Sequence, residues 1–550
     1  MPAIEPGREV DFSAWQQLRN DLNPESLRLL GITPFERIDL ALARAFCRQQ
    51  AAVAVDLGRE TAHWPEVFAF LQQEGQRGAL CGVRVPDHLA LKPAELPAAT
   101  AFVVLTAERP LQEWRARFPV VVQVTSLVEA QQALADGAHG LIAKGQESAG
   151  RVGEEGSFIL LQQVAALTGQ HGVPLWCQGG VGLHTATGAL AMGAFGVVLD
   201  SQLALLAECR LPEAIKTDLR AMDGSETRLL GGYSVYSRPG LPVAEYDDLP
   251  AEQVRHLMTA EGERRVLPAG QDAALAKALA AQCSNVEVLL NTLRVGIAGH
   301  LRQAVALDVL GEHSPLAVAH GTRFPIAQGP MTRVSDTAAF AAAVAENGAL
   351  PFLALSLMTE ASARTLLTET RQAVGTQPWG VGVLGFASPE ILKPHLALIQ
   401  EFRPSVVLLA GGRPSQARAL VEQGIPAYLH VPSPGLLALF LKDGARHFVF
   451  EGRECGGHVG PRYSFVLWEQ QIQQLLAFER ADELHLLFAG GIHDDRSAAA
   501  VAAITAPLAA RGARIGVLMG SAYITTHEAV RCGAVNAHFQ KKVLEDSDTV

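Results

Sequence analysis

The chain has 550 residues, which exceeds one ordinary hydrophobic core and predicts two large domains or three smaller ones. Hydrophobic residues make up 49% and charged residues 18%, which excludes global disorder. The net charge is −11 and no lysine or arginine cluster stands out, so we expect neither a nucleic acid nor an anionic membrane as a partner.

The seven cysteines are scattered and never form a C-x-x-C pair. This spacing favours reduced thiols in the cytoplasm over a disulfide framework, and it predicts no metal site. The N-terminal segment does not resemble a signal peptide. The sequence contains no run of about 18 apolar residues, which is the length needed to cross a bilayer. We therefore expect a cytoplasmic protein with no membrane partner.

In the first half of the chain, short β-branched runs alternate with helical runs, which predicts parallel strands with helical crossovers. The first strand is the hardest to recognise, and the best candidate is GITPF at 31–35. The next strand candidates are AVAVDLG (52–58), ALCGVRV (79–85), AFVVLTA (101–107) and VVVQVTS (120–126).

Residues 226–318 differ in character from both halves. The turn-rich, acidic stretch at 236–253 is typical of a surface linker. Apolar residues at helical spacing over 269–311 predict two or three helices, with the leucine stripe as core rather than a partner groove. These helices would form a connecting insert or a hinge.

In the second half, eight strand candidates follow one another within about 230 residues, and most precede an amphipathic helix. This regularity predicts a (β/α)8 barrel of the TIM type; an open, doubly wound sheet is the alternative. The eight candidates are 324–330, 350–358, 379–386, 405–411, 426–433, 447–454, 484–492 and 515–522.

Three glycine-containing turns follow the last three of these strands. His458 lies in ECGGHVG after the sixth, AGGI (489–492) follows the seventh and MGSA (519–522) follows the eighth. Barrel active sites collect at the carboxyl ends of the strands, and phosphate groups bind after the last two. Glycine amides and the Ser521 hydroxyl suit a phosphate, whereas the alternative is that they form tight turns only.

Taken together, FPIAQGPMTRVSD (324–336), GRECGGHVG (452–460), AGGI and MGSA resemble the nitronate monooxygenase (2-nitropropane dioxygenase-like) family, which includes flavin-dependent enoyl reductases. The resemblance implies a barrel that binds FMN non-covalently, with His458 as the active-site histidine. It also implies that Gln328, Gly329, Pro330 and Met331 pass beside the flavin ring. The remaining implied cofactor-binding positions are Gly382, Gly456 and Gly457 near the ring, and Gly490, Gly491, Met519, Gly520 and Ser521 at the phosphate.

Two positions depart from the family pattern. Gly382 stands where nitronate oxidisers have an asparagine, and Glu451 stands where they have a glutamine. Both changes remove an amide that could bind flavin or substrate, so they argue against nitronate oxidation. Cys455 stands where relatives often have alanine, and we interpret it as a small filler rather than a nucleophile.

The chain contains an internal duplication. Residues 145–163 align without gaps on 452–470, with nine of nineteen positions identical at an offset of 307. CQGGVG (177–182) likewise parallels FAGGIH (488–493). The chain is therefore interpreted as two tandem barrels joined by a helical connecting segment. Glu147 and Glu454 persist in both copies, which indicates a structural hydrogen-bonding role.

The first copy lacks the implied functional residues. Arg151 replaces His458 and cannot act as a general acid–base, since arginine stays protonated. Asp200 replaces Gly520, and its carboxylate would repel an FMN phosphate unless Arg151 or Lys144 compensates or the side chain points away. We therefore predict a degenerate barrel at 1–225, a linker and helical insert at 226–318, and an FMN-binding barrel at 319–550.

Tandem barrels of this type resemble the N-terminal region of multifunctional polyketide or fatty-acid synthases. The resemblance implies an FMN-dependent enoyl-thioester reductase, with NAD(P)H as electron donor, a thioester substrate that is free or bound to an acyl-carrier protein, and His458 as proton donor. The alternatives are a nitronate monooxygenase-type oxidase and a catalytically silent docking scaffold for carrier domains. A homodimer is left open.

Overall fold

The computed structural model describes residues 10–18, 23–58, 61–237, 246, 248–259, 266–457 and 459–545. The chain divides into two units, Met1–Gly299 and His300–Val550. Each unit contains a closed barrel of eight parallel strands. The predicted fold class of two (β/α)8 barrels is therefore confirmed.

The strands described in the first unit are β1 (Leu29–Ile32), β2 (Val53–Asp56), β3 (Cys81–Val85), β4 (Val103–Thr106), β5 (Val120–Val124), β6 (Gly140–Lys144), β7 (Gly150–Arg151), β8 (Leu175–Gln178), β9 (Gly196–Leu199), β10 (Thr227–Leu230) and β11 (Tyr233–Tyr236). The barrel has the order β1-β2-β3-β4-β5-β6-β8-β9, and β1 closes it by pairing with β9. Its strands are buried throughout because helices cover the outside and side chains fill the inside.

The described helices of the first unit are Ser13–Leu18, Leu40–Arg48, Trp64–Gln76, Gln112–Arg115, Leu127–Ala135, Ser157–His171, Thr185–Ala191, Glu213–Ala221, Ala251–Thr259 and Leu275–Gln282. Two indoles fix the amino-terminal end of the barrel core. Trp15 donates to the carbonyl of His139 at 2.8 Å, and Trp176 donates to the carbonyl of Leu27 at 2.7 Å. These bonds satisfy the buried N–H groups, so both rings can fill the core.

A small antiparallel sheet accompanies the first barrel, in the order β10-β11-β7. Its hairpin turns at Gly231 and Gly232, which both have positive φ angles. Tyr246 packs in the small apolar core beside the hairpin. Much of the predicted linker at 236–253, namely 238–245 and 247, lies outside the described residues.

The second unit has the strands β12 (Ile326–Gln328), β13 (Leu350–Ala354), β14 (Gly380–Leu384), β15 (Val406–Ala410), β16 (Ala427–His430), β17 (His447–Glu451), β18 (His485–Ala489) and β19 (Arg514–Met519). They form a closed barrel in chain order, and β12 pairs with β19. Because all eight run parallel, their carboxyl ends meet at one mouth.

The described helices of the second unit are Pro315–His320, Ala338–Glu346, Glu360–Val374, Pro389–Phe402, Pro414–Val421, Pro434–Lys442, Ser464–Leu476, Asp495–Ala509, Ser521–Ile524, His527–Arg531 and Ala537–Glu545. The helix Val286–Leu307 contains the boundary between the units. Within the described ranges, no single helix is both long and apolar enough to cross a bilayer, although the bent pair Gln271–Gln282 and Val286–Leu307 passes the same test when taken together.

A cluster of histidines lies at the amino-terminal ends of β16 to β19. His320 Nε2 lies 2.8 Å from the Tyr428 hydroxyl, and the rings of His447 and His485 lie 4.2 Å apart. Arg514 donates to Nε2 of His485 at 3.0 Å. Burial, followed by neighbouring positive charge, lowers the pKa of His320 and His447 to about 4 and that of His485 to about 3. The cluster therefore requires neutral imidazoles.

Candidate active site

Strand geometry decides which side chains of the second barrel line its mouth. Four residues, Leu408, Tyr428, Val449 and Leu487, belong to the core inside the barrel. Side chains two positions apart share a face, so the residues that end these strands also point inward. They are Ala410 on β15, His430 on β16, Glu451 on β17 and Ala489 on β18.

The end of β12 is held by hydrogen bonds from the predicted cofactor-binding segment itself. The buried Gln328 amide donates to the Ser335 hydroxyl at 2.6 Å and also to the carbonyl of Gly329. Ser335 in turn accepts from the Met331 amide at 3.0 Å and donates to Gly329 O at 3.1 Å. Gln328 therefore shapes its own loop.

Close packing brings the ends of β12, β14 and β19 together. The Gly329 amide donates to the carbonyl of Met519 at 2.9 Å. A Cβ atom on Gly382 would lie 2.3 Å from Cβ of Pro330, which leaves no room for a side chain. At Gly520 the nearest atom would be the Met331 sulfur, at 3.6 Å. Seven of the predicted positions, counting Gln328, therefore lie in one group.

The predicted phosphate-side residues follow β18 and β19. Gly490 and Gly491 have φ angles of 117° and 71°, a conformation that favours glycine. Ser521 is exposed at the start of a short helix whose N-cap is Gly520. Because β18 pairs with β19, the two turns stand beside each other at the mouth.

A hydrogen-bonded clasp positions the loop after β17. Glu454 accepts from the Ser464 amide at 2.9 Å and from its hydroxyl at 2.7 Å. The Ser464 hydroxyl also contacts the carbonyl of Gly490 at 3.5 Å. The structural role predicted for Glu454 is confirmed by these bonds.

The remaining loop residues are more open. Gly456 and Gly457 are exposed, and a Cβ atom on either would meet nothing within 4 Å. His458, the predicted proton donor, lies outside the described residues. Its role and the roles of the predicted cofactor-binding residues stay predictions.

The imidazole of His430 lies in the mouth. Nδ1 of His430 is 3.0 Å from Oε2 of Glu451, and both side chains are 13% exposed. Burial, and then the Glu451 charge, raise the pKa of the Cys455 thiol well above its usual range. Cys455 is therefore held as a neutral thiol, which agrees with its interpretation as a filler and not as a thiolate nucleophile.

The first barrel fills the same region with a continuous polar chain. Arg84 bonds Asp56 at 2.6 Å and Gln123 at 2.8 Å. Gln123 then donates to Gln178 at 2.7 Å, and Gln178 donates to Asp200 at 2.6 Å. All five side chains are buried. The mouth of this barrel is occupied by its own residues.

The remaining positions of interest in the first barrel are also engaged within the protein. Arg151, on β7, pairs with Glu108 at 3.2 Å and with Glu129 at 2.5 Å. Lys144 is 4% exposed, and burial, followed by Arg84, lowers its pKa to about 8. Burial raises the pKa of Asp200, against an opposing effect of Lys144. Asp200 points into the barrel and not away from it.

His430 is a candidate functional residue that the sequence analysis missed. A signal was present, because in AYLH (427–430) the alternation that buries Tyr428 inside the barrel also sends residue 430 inward. Its partner Glu451 was noted only as a departure from a family pattern.

Among the comparisons with known proteins, the family match lies in the second barrel. Residues 385–550 match the family model described as nitronate monooxygenase. A curated relative, the (3aS,4S,5R,7aS)-5-hydroxy-7a-methyl-1-oxo-octahydro-1H-indene-4-carboxyl-CoA dehydrogenase of Rhodococcus jostii, is 26% identical over 230 residues. That match covers 41% of this chain and 59% of the relative, which is less than two thirds of its length.

Two solved structures are also similar. FabK from Thermotoga maritima is 28% identical, with 43% of this chain and 69% of that chain covered and a TM-score of 0.36. A nitroalkane oxidase from Streptomyces ansochromogenes is 20% identical, with 38% and 69% covered and a TM-score of 0.33. The family model and the curated relative are oxidoreductases by name.

Proposed function

We propose that the second barrel binds FMN and reduces the carbon–carbon double bond of an enoyl thioester, with NAD(P)H as electron donor. The observation that carries the proposal is the lining of its mouth. Where the first barrel has Arg84, Gln178 and Asp200, the ladder positions of the second barrel hold Gly382, Ala489 and Gly520. Pro330 packs directly on Gly382, whereas the small residues Ala489 and Gly520 leave space that a planar cofactor and its phosphate could occupy.

The donor set of the mouth fits this cofactor. Gln328 to Met331 offer backbone beside a ring system, and the turns at 490–491 and 519–521 offer amides and a hydroxyl to a phosphate. A Cβ atom on Gly382 would clash with Pro330, so glycine at this position lets the 328–331 loop pack against β14. When bound, FMN supplies hydride chemistry that amino-acid side chains lack.

The protein's own residues have three tasks in this reaction. Gln328 and Ser335 hold the β12 loop in one conformation, and the Glu454–Ser464 clasp holds the loop that carries His458. His458 is proposed to protonate the α-carbon, since an imidazole suits proton transfer near neutral pH. The thioester class is supported by the curated relative, whose name gives a carboxyl-CoA as its substrate.

Nitronate oxidation is the second candidate, because the family model that matches 385–550 carries that name. Gly382 and Glu451 argue against it, since each replaces an amide side chain of the nitronate oxidisers. A catalytically silent scaffold for carrier domains is the third candidate, and the internally bonded mouth of the first barrel favours it for that barrel only.

We further propose that 1–225 is a degenerate barrel, that 226–318 connects the two and that 319–550 carries the chemistry. A carrier-bound substrate, a place within a larger synthase and a homodimer belong to the same proposal. Its support is the duplication together with the contrast between the two mouths.

Spectroscopy of the purified protein tests the function. We expect an oxidised-flavin spectrum that NADPH bleaches without oxygen and that crotonyl-CoA then restores. His458→Ala is expected to keep the flavin and to lose most of the restoration step. A colourless protein would overturn the flavin proposal, and bleaching by propyl-1-nitronate but not by NADPH would favour the oxidase.

A further inference from the structure

The mouth of the second barrel contains a histidine–glutamate pair to which the proposed function assigns no role. His430 ends β16 and Glu451 ends β17, with Nδ1 and Oε2 3.0 Å apart. Both side chains project into the barrel by the strand alternation described above. Two polar side chains that are 13% exposed in an otherwise apolar lining cost desolvation energy, so they need an explanation.

The neighbours of the pair leave space in front of it. By strand register Ala410 on β15 lies beside His430 on β16, and Ala489 on β18 is paired with Glu451 on β17. Gly382 lies one strand further on. None of these side chains extends beyond a methyl group, so none of them offers the imidazole a polar partner.

The imidazole has hydrogen-bonding capacity to offer. Within the described part of the chain, both ring nitrogens of His430 are buried without a well-aligned hydrogen bond, even though Nδ1 faces Glu451. A buried polar nitrogen without a partner is unfavourable by about 1–3 kcal/mol. With Nδ1 facing the carboxylate, Nε2 is the ring nitrogen left for a partner that the described residues do not supply.

We infer that His430, oriented by Glu451, donates a hydrogen bond from Nε2 to the thioester carbonyl oxygen of the substrate. This inference rests on the proposed function. Hydride addition to the β-carbon moves the double-bond electrons toward the thioester oxygen, where negative charge develops. An N–H donor aimed at that oxygen stabilises the transition state more than the ground state. No bond to His430 forms or breaks, and the α-carbon receives its proton from His458.

Glu451 is the positioning residue of this pair. Its carboxylate lies 3.0 Å from Nδ1, and a ring that donates from both nitrogens would face Glu451 with one N–H and the ligand with the other. The equivalent positions of the first barrel are Gln123 and Lys144, and Gln123 is used up in the buried polar chain. The His430–Glu451 pair therefore occurs in the second barrel and not at the equivalent positions of the first.

Three variants separate hydrogen bonding from other roles: His430→Gln, His430→Ala and Glu451→Gln. Glutamine can donate a hydrogen bond but cannot transfer a proton at neutral pH, and it is the residue that the first barrel has at this position. The first readout needs no turnover: the infrared carbonyl band of crotonyl-CoA, labelled with carbon-13 at its carbonyl, bound to oxidised protein. The second is the rate at which crotonyl-CoA reoxidises anaerobically reduced protein.

We expect wild-type protein to shift the carbonyl band to lower frequency, His430→Gln to keep part of the shift and His430→Ala to abolish it. Reoxidation should slow by about 10²–10³-fold in His430→Ala and by less in His430→Gln and Glu451→Gln. Flavin content and bleaching by NADPH are measured for each variant, so that the reoxidation rate is compared per reduced flavin.

Three results would overturn this inference and leave the proposed function standing. The first is an unshifted carbonyl band in wild-type protein that does turn over, and the second is equal reoxidation rates for wild type and His430→Ala. Equal defects in the glutamine and alanine variants would also overturn it, since they would indicate proton transfer in place of hydrogen bonding. Wild-type protein without flavin, or flavin that crotonyl-CoA does not reoxidise, would overturn the proposed function first and this inference with it.

Discussion

The two barrels share a scaffold and differ in what their inward-facing strand ends carry. In both, a glutamate clasps the start of a helix: Glu147 accepts from the amide of Ser157 at 3.0 Å, and Glu454 from that of Ser464 at 2.9 Å. In both, a serine caps the helix after the fifth barrel strand, where Ser126 and Ser433 accept from amides three residues on. These shared contacts serve the fold.

The two barrels differ in the inward-facing residues at the carboxyl ends of their strands. Strand register gives six equivalent positions in the two mouths. In the first barrel they are Arg84, Thr106, Gln123, Lys144, Gln178 and Asp200. In the second barrel, in the same order, they are Gly382, Ala410, His430, Glu451, Ala489 and Gly520. Long polar side chains that bond one another are replaced by small ones around a single His–Glu pair. A duplicated fold can thus fill one mouth with bonded polar side chains and line the other with small residues while the framework stays constant.

The largest expected effect comes from giving the second barrel the first barrel's carboxylate. Gly520 has a φ of −109°, and a Cβ there would be in ordinary contact with Met331, so Gly520→Asp is expected to fold. Like charges about 4 Å apart cost about 4 kcal/mol per unit pair, which predicts FMN binding weaker by about 10³-fold or more. Flavin titration measures it, with Gly520→Asn as the uncharged control of the same size. Equal affinities of the two variants would contradict a phosphate at this turn.

The reciprocal experiment breaks the series of hydrogen-bonded polar side chains that fills the mouth of the first barrel. Arg84→Met leaves Asp56 buried without its partner, which is expected to lower the free energy of unfolding by about 3–5 kcal/mol. Denaturant unfolding measures the loss. The double variant Arg84→Met with Asp56→Leu should recover much of it, because an apolar pair needs no compensation.

Arg220→Met is the matched control for this experiment, since Arg220 pairs with Glu213 at the surface at 2.5 Å and such pairs contribute little. If Arg84→Met and Arg220→Met were equally mild, the polar chain would not be what holds the first mouth.

Particular residues show how far the sequence could predict this contrast. HFVFEGRE at 447–454 predicted β17, which spans His447–Glu451, because a buried β-branched and aromatic run before glycine is a strong local signal. The first strand was expected at 31–35 and lies at Leu29–Ile32, since GITPF includes the turn that follows it. The β10–β11 hairpin was not predicted, although Gly231 and Gly232 between two short runs are a typical hairpin turn.

The polar chain and the His430–Glu451 pair could not be predicted in the same way. Gln123 and Gln178 are 55 positions apart and meet only once the barrel has closed. Polar residues at strand ends have the same pattern as exposed ones, so only the register of neighbouring strands distinguishes a filled mouth from a solvated loop. His458, which the sequence did single out, stays a prediction.

Acid should affect the two barrels differently. In the second barrel the pKa of His320, His447 and His485 is lowered to about 4, 4 and 3 from an ordinary value of 6.5. Between pH 6.5 and about 4 the unfolded chain therefore binds more protons, and stability falls as the pH falls. We expect a loss of at most about 2 kcal/mol per ring by pH 5.

The first barrel has a comparable histidine in His139, which accepts a backbone hydrogen bond and whose pKa burial lowers to about 4. It also has Asp56 and Asp200, whose pKa values burial raises, so that protonation in acid opposes the loss. Urea unfolding at pH 7 and pH 5 should show the larger decrease for the second barrel, and His485→Gln should reduce that decrease. An equal acid response of both barrels would contradict the assignment of neutral histidines.

The smallest expected effect concerns the clasp that both barrels share. Glu454→Gln keeps the shape of the side chain but loses one charged acceptor for Ser464, which is expected to lower the stability of the second barrel by about 1 kcal/mol. Glu147→Gln should cost less, because burial raises the pKa of Glu147 and its ionised form is already disfavoured. Paired denaturation curves measure both changes. If Glu147→Gln were the more damaging variant, the fully buried carboxylate would have to be ionised, and the polar interior of the first barrel would be more highly charged than its burial allows.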